Sequence, residues 1–260
     1  MEVIPAIPVT TASTVGPVSA PVLSLVRRAV VDFNLIEPGD RVAVGMSGGK
    51  DSALLLRALM ELQQHTDMDF EVIPIHLDQH QPGFARETFD RALEYMGAAC
   101  EIVSEDTYSI VQSKLKPDQI PCALCGRMRR GILNKHCAAQ GYTKLALGHH
   151  LDDAVETFLL NLFYQRRLSP LLPATPQQRA GVTVIRPLIL VEERKIEAWV
   201  ASQGIPVVEC PVCDNTPRSR RRDLKQLMEQ FAEINADLHA SVRDAIYSNH
   251  GFLELALGEG

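Results

Sequence analysis

Short apolar, β-branched runs alternate with stretches of helical spacing from residue 42 to residue 208, and this alternation narrows the possible folds more than any other feature. The runs 42–46, 70–77, 100–103, 144–147 and 182–185 read as strands, with Val207-Val208 as a last short one. Helices are expected over 22–36, 53–64, 85–96, 108–115, 126–139, 152–164 and 192–203, three of them stopped by Gly97, Gly141 and Gly204. Such a pattern implies parallel βαβ units, hence an α/β fold with a doubly wound parallel sheet and helices on both faces. Ligands of these sheets lie at the carboxyl ends of the strands. Here that edge would hold residues 47–52, Asp78 and residues 148–153, polar positions where apolar strands end. Residues 1–20 are apolar, nearly uncharged and interrupted by Pro5, Pro8 and Pro17; they lack the basic start and unbroken core of a secretory signal and read as a disordered tail. No run is long enough to span a bilayer, so no membrane partner and a cytoplasmic location are expected.

Ser47-Gly48-Gly49-Lys50-Asp51-Ser52 lies between the first strand and its helix. Two adjacent glycines let the backbone turn sharply and bring N–H groups close to an anion. Ser47, Lys50 and Ser52 add donors, and the helix N-terminus adds a favourable dipole. A phosphate or pyrophosphate suits that loop. It is not a Walker A motif, because no glycine precedes it at the required spacing.

Gly148-His149-His150-Leu151-Asp152-Asp153 closes the fourth strand and opens a helix. Either aspartate could be a helix cap. Paired carboxylates at a strand end also suit Mg²⁺ shared with phosphate oxygens. The histidines could ligate zinc, but no third partner accompanies them. Of six cysteines, four form the pairs Cys122-Ala-Leu-Cys125 and Cys210-Pro-Val-Cys213. Such pairs fit a structural zinc site or an iron–sulfur cluster, and spacing does not separate the two. Cys100 and Cys137 sit in apolar surroundings and read as small core residues. The net charge of −6 argues mildly against nucleic acid, yet basic residues cluster at Arg127, Arg129, Arg130 and Lys135, at Arg166-Arg167, and at Arg218, Arg220, Arg221, Arg222 and Lys225. Phosphate-backbone binding needs a local patch rather than a basic total.

The loop at 47–52 resembles the SGGxDS loop of the PP-loop ATP pyrophosphatases. Residues 77–84, the first cysteine pair with residues 129–133, residues 146–153, Ile185-Arg186-Pro187-Leu188 and the second cysteine pair follow in an order that resembles the bacterial tRNA 2-thiocytidine synthetases, specific for cytidine 32. The likeness runs over about 21–222, leaving 223–260 as a C-terminal helical extension. It implies a PP-loop domain that binds ATP through Ser47, Gly48, Gly49, Lys50, Asp51, Ser52, Asp78 and Gly148, with Lys50, Asp51, Asp152 and Asp153 serving catalysis and Mg²⁺. It implies a [4Fe-4S] cluster on Cys122, Cys125 and either Cys210 or Cys213, with one iron open to sulfur. The implied reaction adenylates the C2 oxygen of a tRNA cytidine and replaces it with sulfur from a cysteine desulfurase. Candidate contacts to the anticodon stem-loop are Arg127, Arg129, Arg130, Arg186, Arg218, Arg220, Arg221 and Arg222. Related enzymes often form homodimers, for which the 22–36 helix could serve. The alternatives are a tRNA 2-thiouridine synthetase, a PP-loop lysidine-forming or amidating enzyme, and a non-catalytic metal-bound RNA-binding protein.

Overall fold

The structure, a computed structural model, describes residues 2–4, 13–65, 68–114, 122–208, 220–235 and 237–248. Strand β2 (Asp40–Gly45) is buried on both faces: Val42 and Val44 enter one apolar cluster and Ala43 enters another. Burial on both faces is the signature of a central parallel strand. Its neighbours β3 (Phe70–Asp78), β4 (Glu101–Ser104), β5 (Lys144–Ala146) and β7 (Val182–Ile185) complete a parallel core. Two short strands, β1 (Glu2–Ile4) and β6 (Ala174–Gln177), close the edges in the antiparallel sense. The seven strands run β1-β4-β3-β2-β5-β7-β6. From β2 the chain winds outward to β4, then crosses back to β5 and winds out the other way. The reversal lies between β2 and β5, which is where a doubly wound sheet opens its ligand crevice.

Helices α1 (Ala20–Asp32), α2 (Lys50–His65), α3 (Arg86–Met96) and α7 (Glu193–Gln203) pack Val26, Leu55, Phe89 and Ile196 into the cluster with Val42 and Val44. The opposite face is closed by α5 (Cys122–Gln140) through Leu133 and Cys137. Cys100 and Cys137 are buried as core residues, and burial pushes the Cys137 thiol up to about 12. A short helix, α4 (Thr107–Lys114), links β4 to α5. A third cluster joins Leu151 and Val155 of α6 (Leu151–Leu160) to Met228 of α8 (Arg220–Ile234), with α9 (Leu238–Tyr247) packed against it.

Several local expectations change. Helix α5 starts at Cys122, one turn earlier than the apolar spacing suggested. Helix α6 gives way to a π-helical turn over Asn161–Gln165. Val207-Val208 forms no strand among the described residues; the Val208 N–H donates instead to the Gly48 carbonyl at 2.8 Å. Residues within the segment read as a tail are part of the fold. Glu2–Ile4 form β1, Val15 and Val18 are buried, and the Pro17 carbonyl accepts the Trp199 indole N–H at 3.2 Å. Among the described residues no helix is long and apolar enough to cross a membrane.

Candidate active site

The loop between β2 and α2 is closed by its own hydroxyls. Ser52 Oγ donates to the Gly49 carbonyl at 2.9 Å and accepts the Ser47 N–H at 3.3 Å, while Ser47 Oγ accepts the Gly49 N–H at 3.3 Å. Gly48 has φ +84°, and a Cβ there would come within 3.0 Å of Val208. Glycine is therefore required both by conformation and by space. Beneath the loop the buried His76 donates from Nδ1 to the Met46 carbonyl at 2.8 Å, and its ring packs on Phe84 and Phe89. Burial lowers its pKa and keeps the ring neutral. The loop is thus held in shape from below before any ligand arrives.

Residues 148–153 come from the end of β5, across the switch point. A Cβ on Gly148 would lie 3.1 Å from the Asp51 backbone, so this glycine lets the two loops touch. Their contact gathers the carboxylates. His150 Nε2 is 3.9 Å from Asp51 and 3.5 Å from Asp153, and its Nδ1 is 3.6 Å from Asp152. Burial works against the charge on His150, but Asp152, Asp153 and Asp51 outweigh it and raise the imidazole above its ordinary value. Burial raises the Asp51 carboxyl against the pull of His150 and Lys50, and its Oδ1 is buried without a hydrogen bond. Asp153 also caps α6 by accepting the His150 N–H at 3.1 Å. Asp152 accepts the Glu193 N–H at 2.7 Å and faces His239 Nε2 at 3.1 Å. Burial opposes ionisation there too, but His150, His239 and the Glu193 N–H hold the carboxyl well below the usual range.

Lys50 does not point into open solvent. Its Nζ donates to Glu193 at 2.9 Å and lies 3.3 Å from Asp51, while Lys225 Nζ holds the other Glu193 oxygen at 2.7 Å. Lys225, read with the third basic cluster, therefore turns into the site. Glu193, Lys225 and His239 were not anticipated from sequence. They lie far along the chain, and no local motif marks them.

Asp78 accepts the His80 N–H at 2.9 Å in a strand-end turn. Beyond it, Cys125 Sγ lies 3.2 Å from Gln79 Oε1 and accepts from Gln81 Nε2 at 3.7 Å. Cys122, whose backbone alone is described, precedes it by one turn at the start of α5, so both belong to one helix face. Cys125 Sγ is a soft donor, and it fits a thiophilic metal or cluster. Cys210, Cys213 and Arg218 lie outside the described residues, and only the backbone of Arg220, Arg221 and Arg222 is described, in the first turn of α8. Among the described residues no three metal-binding side chains converge on a point. Mg²⁺, which keeps few protein ligands and takes phosphate oxygens, fits the Asp51 and Asp153 carboxylates without such a cage. The arginines of α5 crowd one another: burial, with Arg129 and Arg127 beside it, lowers the pKa of Arg130. Arg186 is buried, donates from Nη1 to the Leu172 carbonyl at 2.7 Å, and has an Nε without a partner.

Residues 23–230 match the PP-loop domain family. A Vibrio cholerae protein named tRNA-cytidine(32) 2-sulfurtransferase is 42% identical over 204 residues, 78% of this chain and 66% of the relative, just short of two thirds of its length. A Deinococcus radiodurans protein of the same name is 41% identical over 210 residues, 81% of this chain and 70% of the relative. The chain belongs to the tRNA-cytidine(32) 2-sulfurtransferase family. Both the loop at 47–52 and the turn at 148–153 lie within the matched residues. The fold is also that of the U34-tRNA thiolase NcsA from Methanococcus maripaludis, solved with its [4Fe-4S] cluster, with a TM-score of 0.66 at 22% identity over 84% of this chain and 75% of NcsA.

Proposed function

We propose that this protein thiolates a tRNA cytidine, at position 32, in a reaction that cleaves ATP to AMP and pyrophosphate. The observation that carries this reading is that a glycine loop closed by its own hydroxyls touches the carboxylates of the 148–153 turn, while Cys125 is held at Gln79, just beyond the end of the neighbouring strand β3. The N–H groups of residues 47–52 and the α2 N-terminus would bind the departing pyrophosphate, and Lys50 would neutralise it on release from Glu193. Asp51, with Asp153 or Asp152, would hold Mg²⁺, which when bound would neutralise charge on the phosphates. The cytidine O2 displaces pyrophosphate at the α-phosphorus, turning a poor leaving group into AMP; sulfide then takes its place on C2 and AMP departs with the oxygen. A [4Fe-4S] cluster on Cys122, Cys125 and Cys210 or Cys213 would hold that sulfur as sulfide; drawn from a cysteine desulfurase as persulfide sulfur, it needs two electrons from an external thiol or another reductant to reach that level. The target base must leave its stack to reach these groups, and Arg127, Arg129 and Arg130 of α5 would hold the RNA, while Arg186, buried and bound to Leu172 and Thr175, would brace the sheet edge rather than contact the RNA.

The test is pyrophosphate release with and without unmodified tRNA, using anaerobically purified protein. Release should require tRNA, and Lys50→Ala should abolish it while leaving the visible spectrum unchanged. Release that ignores tRNA would remove the thiolation reading.

A further inference from the structure

The pair Arg166-Arg167, basic but unassigned above, sits in unusual surroundings. Between Glu156 and Glu192 there is no aspartate or glutamate, while Arg166, Arg167, Arg179 and Arg186 fall in that span; all 32 acidic residues of the chain lie outside it. In a protein of net charge −6 this is a local reversal of sign. Early in the span lies the π-helical turn Asn161–Gln165, which places Phe163 57% exposed and Tyr164 48% exposed, followed by Leu168 at 58%. π-turns are rare and recur at functional positions. Arg166 has φ +55°, a left-handed conformation that costs a non-glycine residue free energy. The turn is nonetheless fixed: Asn161 Nδ2 donates to the Ser169 carbonyl at 2.6 Å, and the Arg167 N–H donates to the Asn161 carbonyl at 3.0 Å. The loop that follows enters β6 beside the carboxyl end of β7, where Arg186 grips the Leu172 carbonyl and Thr175 Oγ1. The exposed turn is thereby tied to the same edge as the carboxylates, one α6 helix of 10 residues, about 15 Å, from Asp152.

We propose that this turn, Phe163-Tyr164-Gln165-Arg166-Arg167, is a docking surface for unpaired RNA flanking the target base; the proposal rests on the tRNA reading above. Flat aromatic faces beside guanidinium groups are what single-stranded RNA bases and their phosphates require. A second copy of the chain fits less well. A two-fold contact would bring Arg166 and Arg167 onto their own copies, and the acid-free span offers them no carboxylate.

Binding of a fluorescent anticodon stem-loop RNA to the full chain, titrated with salt, tests it. Phe163→Ala should weaken affinity about fivefold or more. Arg167→Ala should weaken it and reduce the slope of log affinity against log salt by about one. ATP affinity and sedimentation mass should be unchanged in both variants. Wild-type RNA affinity in both variants overturns the docking surface and leaves the thiolation reading standing. A fall in sedimentation mass in either variant overturns it in favour of self-association. Failure of the unmutated protein to bind RNA at all removes the tRNA reading and this proposal with it.

Discussion

Asp152 is approached from three parts of the chain: His150 beside it, the Glu193 N–H at the start of α7, and His239 in α9. The hydrogen bond to Asp152 is the largest influence on His239 and raises its pKa above the ordinary imidazole value. Folding therefore takes up protons at this histidine. Its stabilising contribution is complete below the unfolded value, about pH 6.5, and is lost as pH rises through the higher folded value. His239→Gln keeps a donor but removes the titration. The variant should melt below the unmutated protein at pH 6, and the gap should narrow by pH 8.5 in thermal unfolding followed by circular dichroism. An equal gap at both pH values would mean that the pair is held as a neutral hydrogen bond.

Among the elements, the first turn of α5 carries the sharpest expectation. Cys122 and Cys125 open that helix, and Cys125 reaches Gln79 and Gln81 beyond the end of β3 rather than the phosphate loop. Cys125→Ser conserves shape while removing a soft ligand. Anaerobically reconstituted Cys125→Ser protein should lose most of its iron and acid-labile sulfide, yet bind ATP as before; full iron content would exclude this cysteine as a ligand. The elements also differ in how far sequence revealed them. The central strands were legible because both faces are buried, which writes a continuous apolar run into positions such as 42–44 and 145–147. Strand β6 was not: Ala174-Thr175-Pro176-Gln177 carries no apolar pattern and is fixed by its edge pairing with β7. Val207-Val208 misled for the opposite reason, being apolar while serving as a brace for Gly48. The π-turn after α6 left no trace in an unbroken helical spacing.

At the scale of the whole molecule, the sheet gathers at one edge groups that are remote in sequence. That the 47–52 and 148–153 turns would share one edge was readable because each joins a strand to a helix, and such junctions collect at the switch point of a doubly wound sheet. The third contribution comes from helices that pack on α6 through Met228, and it has no motif. Through it Lys225 reaches Glu193, which also holds Lys50, so the C-terminal extension bears on a loop 175 positions earlier in the chain. While Lys225 engages one Glu193 oxygen, the hold of that carboxylate on Lys50 is shared. Lys225→Met removes the competitor and leaves Glu193 to Lys50 alone, keeping the ammonium from incoming phosphate. Exposed or half-exposed ion pairs contribute on the order of 1 kcal/mol or less, so ATP affinity measured by calorimetry should fall about two- to fivefold. Lys225→Arg should restore it, since a guanidinium can reach the same oxygen. If Lys225→Met binds ATP as tightly as the unmutated chain, the extension contributes packing to α6 and nothing to the phosphate loop.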